Sequence, residues 1–287
     1  MENGAELIAQ GGIHGSALQA AILCGGRKTR SRAIVGDYGS ALQAAISIGD
    51  TGLVKRLVNH GADVNANPGQ YGTALQATCY GRDAGLAKTL LNISADSNAA
   101  EIILLLLENG ADINQAGGLY GSALQAASAS PGATAVHILV RHGANLHVKG
   151  GLYGNALRAA VFWNRKPIVK LFLERGADPN AIVGANRIME APYGNTLYVA
   201  CGRGKLSIVT ALLDRGADLN AQQLWAGKAL GAAITELHRE VVELLLEKGA
   251  DLDLLDRQSG GRFVVEDGNN IMAKMLPEKR RKNKSTG

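Results

Sequence analysis

Gly204-Lys205 is the kind of pair that closes a phosphate-cradling loop, and such a loop requires G-x-x-x-x-G-K-[ST]. Here Leu206 follows the lysine and Val199 stands where the first glycine is needed. Gly25-Gly26-Arg27-Lys28-Thr29 lacks the Gly-Lys pair altogether. Asp63-x-Asn65-x-Asn67 has the alternating oxygen donors of a calcium loop. That loop also needs a glycine at its sixth position and a glutamate at its twelfth. Pro68 and Ala74 occupy those places, so a local turn is the better reading. The histidines (His14, His60, His137, His142, His147 and His238) show none of the paired spacing of a zinc site. Cys24, Cys79 and Cys201 are far apart, odd in number and not paired with a histidine, which predicts reduced thiols without a nucleophilic role. There is no serine elbow, paired-carboxylate motif or kinase signature. The expectation is a chain with no catalytic residues, no metal and no cofactor.

Function must then come from surface, and the surface depends on what the chain repeats. One phrase recurs: HGSALQAA at 14–21, YGSALQAA at 38–45, YGTALQAT at 71–78, YGSALQAA at 120–127, YGNALRAA at 153–160, YGNTLYVA at 193–200 and AGKALGAA at 226–233. A second phrase follows most copies: HGADVN at 60–65, NGADIN at 109–114, HGANLH at 142–147, RGADPN at 175–180, RGADLN at 215–220 and KGADLD at 248–253. Gly39 to Gly72, Gly121 to Gly154 and Gly194 to Gly227 are each 33 residues apart. Gly72 to Gly121 is 49 and Gly154 to Gly194 is 40, the same period with insertions around 82–98 and 182–192. A fixed period of this size marks a stacked array of supersecondary units.

Each unit reads as two short antiparallel helices and an extended return. Ser16, Ser40, Thr73 and Ser122 stand three residues before Gln19, Gln43, Gln76 and Gln125, the spacing of a capping box at a helix start. The second helix carries an apolar face, as in Ile168, Val169, Leu171, Phe172 and Leu173, and ends at a glycine suited to a left-handed cap. The Asp-x-Asn that follows favours a turn. In the insertion at 82–98, the spacing of Leu86, Leu90, Leu91 and Ile93 allows an extra helical turn or two.

Over roughly residues 12–253 the period, the GADVN-like phrase and the helix start resemble the ankyrin repeat. The usual T-P-L-H opening is here S-A-L-Q or N-A-L-R. Glutamine both donates and accepts, so it is expected to take the bonding between repeats that the family gives to histidine. YGSALQAA with its GGLYG lead-in at 117–121 and 150–154 looks like the ankyrin arrays of filamentous fungi. The resemblance implies an all-α solenoid of helix-turn-helix units with hairpin fingers. The expected divisions are a truncated unit in 1–35, then repeats at 36–67, 68–116, 117–149, 150–189, 190–222 and 223–253. A degenerate capping repeat at 254–276 and a disordered basic tail at 277–287 complete them.

The resemblance also implies that partners bind along the concave side, through finger tips and the inner ends of the first helices. Those ends are Ser47-Ile48, Tyr80-Gly81, Ala129-Ser130, Phe162-Trp163, Gly202-Arg203 and Thr235-Glu236. Phe162 and Trp163 are adjacent large rings in a chain whose aromatic content is only 4%, which makes them the leading contact candidates. The alternative is that one of them packs beneath the 182–192 finger. Tyr80, Arg203 and Trp225 are weaker contact candidates. Tyr38, Tyr71, Tyr120, Tyr153 and Tyr193 recur in every finger and are expected to form a stacking ladder.

Formal net charge is +5, but much of it is concentrated in Arg27, Lys28, Arg30 and Arg32 and in the tail. The remaining body is slightly negative, against the basic stripe that a nucleic-acid binder needs. Lys279, Arg280, Arg281, Lys282 and Lys284 have the composition of a nuclear-import patch, or simply of a solvated terminus. Residues 1–12 have no secretory pattern, and the longest apolar run, 102–107, is far short of a membrane span. The function expected is a non-catalytic, monomeric adaptor in the nucleus or cytoplasm, a transcription coregulator binding another protein. The alternative is the detached sensing array of a fungal NLR-like receptor.

Overall fold

The structure, a computed structural model, describes residues 40–67, 71–80, 92–181, 195–221 and 229–250. These fall into two compact units, one up to Ala159 and one from Ala160 on. Among the described residues there are twelve helices and no strand, only the isolated bridges Gly117–Gly121 and Gly150–Gly154. The truncated first unit, the finger at 182–192, the capping repeat and the basic tail lie outside the described residues.

In the first unit, α1 (Ala41–Ile48) pairs with α2 (Thr51–Asn59), α3 (Ala74–Tyr80) with α4 (Asn92–Glu108), and α5 (Ala123–Ala129) with α6 (Thr134–Arg141). α7 (Ala156–Phe162) begins in this unit and ends in the next. The second unit continues with α8 (Lys166–Glu174), α9 (Thr196–Gly202), α10 (Leu206–Asp214), α11 (Ala229–Thr235) and α12 (Arg239–Glu247). Within each unit first helices pack on first helices and second on second. α1 lies against α3 and α3 against α5, with α2 on α4 and α4 on α6; likewise α9 meets α11, α8 meets α10 and α10 meets α12.

Helices of seven or eight residues do not hold in isolation, because nucleation costs more than two turns return. They hold here because each is buried against its neighbours and several are capped. Ser40 Oγ accepts from Gln43 N at 3.2 Å and Asn195 Oδ1 from Tyr198 N at 2.8 Å. The Thr73–Gln76 box is closed from both sides: Thr73 Oγ1 accepts from Gln76 N at 3.2 Å and Gln76 Oε1 from Thr73 N at 2.9 Å. The first helices are thin enough to pack closely, with Ala44, Ala45, Ala126, Ala127, Ala159, Ala160 and Ala200 excluded from solvent. The second helices bury one stripe at i, i+1 and i+4, as in Ile168, Val169 and Phe172, or Val241, Val242 and Leu245. Each closes on a left-handed glycine: Gly176 has φ 83°, and Ala177 N donates back to Phe172 O at 2.9 Å. At seventeen residues, α4 is nearly twice as long as α2 and takes in the far end of the insertion from Asn92; Leu86, Leu90 and Leu91 lie outside the described residues.

Two sets of polar side chains tie successive repeats together. Buried Gln43 donates through Nε2 to Gly72 O. Gln76 Nε2 donates to Gln115 O at 2.7 Å and Gly121 O at 3.4 Å, and Gln125 Nε2 to Val148 O at 2.9 Å. Glutamine thus makes the bond between repeats that the sequence suggested. The second set is the Asn of Asp-x-Asn. Besides closing the local turn, Asn65 donates to Gly110 O at 2.9 Å and accepts from Asp112 N at 2.7 Å. Asn180 does the same for Gly216 O and Asp218 N, each at 2.7 Å. Each asparagine therefore clasps the Gly-Ala-Asp corner of the next repeat.

The fingers stack backbone on backbone. Gly117 and Gly121 exchange hydrogen bonds of 2.8 and 3.1 Å, and Leu152 N donates to Leu119 O at 2.8 Å. Of the tyrosines expected in a ladder, Tyr120 and Tyr153 stack beside them with ring centroids 6.3 Å apart, while Tyr38 and Tyr193 lie outside the described residues.

Candidate interaction site

α7 ends where its side chains leave the core. Val161 is fully buried, Phe162 is half-buried, and Trp163 is 49% exposed. The chain then reverses through Asn164, at φ 56°, and Arg165 N donates to Ala160 O at 2.8 Å. The two rings meet edge to face, centroids 5.6 Å apart at 74°, the geometry the ring quadrupoles favour.

The next first helix delivers a cation to the same place. α9 ends in buried Cys201, then Gly202 and exposed Arg203, whose guanidinium carbon lies 4.2 Å from the Phe162 centroid. A cation on an aromatic face contributes about 0.5–1 kcal/mol at an exposed site. Among the described residues Arg203 makes no ion pair; its recorded contact is this ring. From the sequence, Phe162 and Trp163 are expected as a pair and Arg203 as a weaker candidate apart from them; the structure brings Arg203 onto the Phe162 ring.

One repeat on, α11 ends in Thr235 and Glu236, both exposed. Burial, and after it the charge of Glu236, pushes the Tyr198 phenol upward, so the carboxylate acts on this edge. Leu237 follows, 54% exposed and at φ 60°, where the corresponding places hold Gly49, Asn164 and Gly204. A left-handed leucine costs roughly 1–2 kcal/mol. The sequence reading passed over Leu237, although an apolar residue at a position otherwise given to Gly and Asn was a usable signal. His238 anchors the turn, its Nε2 lying 3.1 Å from Gly202 O.

Tyr80, in the first unit, goes elsewhere. Its ring lies between Tyr71 at 5.9 Å and Tyr120 at 4.2 Å, as a member of the tyrosine ladder. Burial and then the hydrogen bond with Tyr80 hold the Tyr120 phenol well above its ordinary range. Trp225, Lys279, Arg280, Arg281, Lys282 and Lys284 lie outside the described residues.

Cys79 and Cys201 occupy equivalent inner positions and are buried. Burial raises both thiols, that of Cys201 to about 12, so neither presents a thiolate near neutrality. In a Cys24→Ser chain at pH 8, a disulfide-exchange reagent should be consumed only after denaturant is added. Reaction of the folded chain at the rate of a free thiol would contradict this packing. Among the described residues no three His, Cys, Asp or Glu side chains gather to hold a metal, and no helix is long and apolar enough to cross a membrane.

Capped helix pairs, glycine-closed corners and fingers stacked at a 33-residue period define a repeat protein built for surface contact. The ankyrin-repeat family model, in three copies, matches residues 7–116, 91–183 and 184–256, and the chain belongs to that family. It is an all-α repeat solenoid of a family of protein-protein interaction modules. Among solved structures it is similar to the ankyrin repeat domain of human ASB11, at 25% identity and a TM-score of 0.56. That alignment covers 74% of this chain and 85% of the other. No curated protein matches it in sequence.

Proposed function

We propose that the chain is a non-catalytic scaffold that binds another protein through Phe162, Trp163 and Arg203. The observation carrying this reading is a half-exposed tryptophan braced by a phenylalanine that is itself covered by an arginine. Trp and Arg dominate the residues whose truncation weakens interfaces most, and rings braced in advance lose little entropy on binding. Tyr80 is occupied in the ladder, and Trp225 stays a secondary contact.

In the finer reading the chain is a monomeric regulatory adaptor that acts as a transcription coregulator, in the nucleus or between nucleus and cytoplasm. The run Lys279–Lys284 supports it by composition, and the slightly negative body argues for a protein partner over direct nucleic-acid contact. A second reading, the sensing array of an NLR-like fungal receptor, rests on the YGSALQAA and GGLYG phrases. An NTPase core encoded in an adjoining reading frame would favour it.

The test is affinity capture with the full chain and with a Phe162→Ala/Trp163→Ala variant. The expected result is a loss of at least about tenfold in bound partner with an unchanged thermal melt. Recovery of the same partners in the same amounts would remove this contact site.

A further inference from the structure

The reading of this edge as a contact site can be carried to the chemistry of what it meets. We propose that the partner lays an extended segment of mixed charge on the second unit, with an apolar side chain on Trp163, a carboxylate on Arg203 and a basic side chain at Glu236.

Three features converge on this pattern. Trp163, Arg203 and Glu236 hold the same place in three successive repeats, each directly after the inner end of a first helix. An extended segment following the repeats would meet them in that order: apolar, cationic, anionic. The Arg203 guanidinium rests on the Phe162 face at 4.2 Å. Exposed and in no ion pair among the described residues, that guanidinium keeps N–H donors for a carboxylate, which it can receive through two parallel hydrogen bonds. Lys205, half-buried, and Lys166, exposed, also make no ion pair among the described residues and add positive potential around the same point.

The competing occupants fit less well. The chain's own run Lys279–Lys284 is basic and would meet Arg203 with like charge. A second copy docked through the same edge by two-fold symmetry would set Arg203 against Arg203.

The probes are short synthetic peptides carrying Leu, Glu and Lys in a Gly/Ser background, with spacer lengths varied. Companion sets replace Glu by Gln or by phosphoserine. The protein is the full chain, and the Trp163 emission is taken as its difference from a Trp163→Phe chain. The expected result is a saturable change in Trp163 emission with the Glu peptide of one spacing, weakened about tenfold by Glu→Gln and by raised salt. Arg203→Gln should erase the difference between Glu and Gln peptides, and Glu236→Lys should transfer preference to a peptide with Lys→Glu. Equal binding of Glu and Gln peptides, tighter binding of the phosphoserine set, or no change in emission with any peptide would each overturn the proposal. Partners lost on Phe162→Ala/Trp163→Ala without any discrimination among peptides would leave the contact site standing and remove only this charge pattern.

Discussion

Gly151→Ala should lower the stability of the chain by about 3 kcal/mol, combining a left-handed backbone penalty with a steric clash. Gly151 has φ 61°, and a Cβ built there lies 2.2 Å from both the carbonyl carbon and oxygen of Tyr120 and 2.4 Å from Gly121 N. Those atoms are backbone, so no side chain can swing aside. Relief requires the finger at 150–154 to move off the one before it, at the expense of the 2.8 Å bond from Leu152 N to Leu119 O. Gly143→Ala is the control, since Gly143 has φ 86° but nothing within 4 Å of an added Cβ. It should cost only the conformational part, roughly 1–2 kcal/mol. Urea unfolding of the two variants measures the difference. Equal losses would mean that the fingers yield freely and do not brace one another.

Gln76→Leu should be at least as severe, at about 4 kcal/mol, although the two side chains are similar in size. Gln76 is buried, and one amide serves three backbone groups: it accepts from Thr73 N and donates to Gln115 O and Gly121 O. Leucine fills the volume and leaves Thr73 N and Gln115 O without a partner, while Gly121 O keeps its 2.8 Å bond from Gly117 N. Each buried unsatisfied group costs roughly 1–3 kcal/mol, with partial relief by water where the structure loosens. Gln76→His retains a ring N–H and should recover part of the loss. If Gln76→Leu costs less than about 1 kcal/mol, the glutamines are fillers and the repeats are held by apolar contact alone.

Much of this arrangement was legible in the sequence because its causes are local or periodic. Ser40, Thr73 and Ser122 announce helix starts by a spacing of three residues, and the bond from glutamine to the next repeat follows from a side chain that both donates and accepts. The clasp made by Asn65 and Asn180 was not legible in the same way. In sequence each is a turn former after an aspartate, and its second pair of bonds, to Gly110 and Asp112 or to Gly216 and Asp218, exists only once the next corner is in place. Tyr80 drew notice by its place at the inner end of a first helix, the place Phe162 holds in a later repeat. Its stacking between two periodic tyrosines was not legible, because it arises only once the fingers are brought together. Phe162 and Arg203 lie 41 residues apart, and only the repeat register, which gives 162–163 and 202–203 the same position, hints that they meet.

The asparagine clasps reach main-chain carbonyl and amide groups, which every residue type supplies alike. Through these clasps neighbouring repeats recognise one another without consulting the side chains at the ends of their first helices, where the contact of Arg203 with Phe162 adds only a modest link. A change at Trp163, Arg203 or Glu236 therefore leaves these joints intact, and a lineage could exchange one binding preference for another in single steps without passing through an unfolded intermediate.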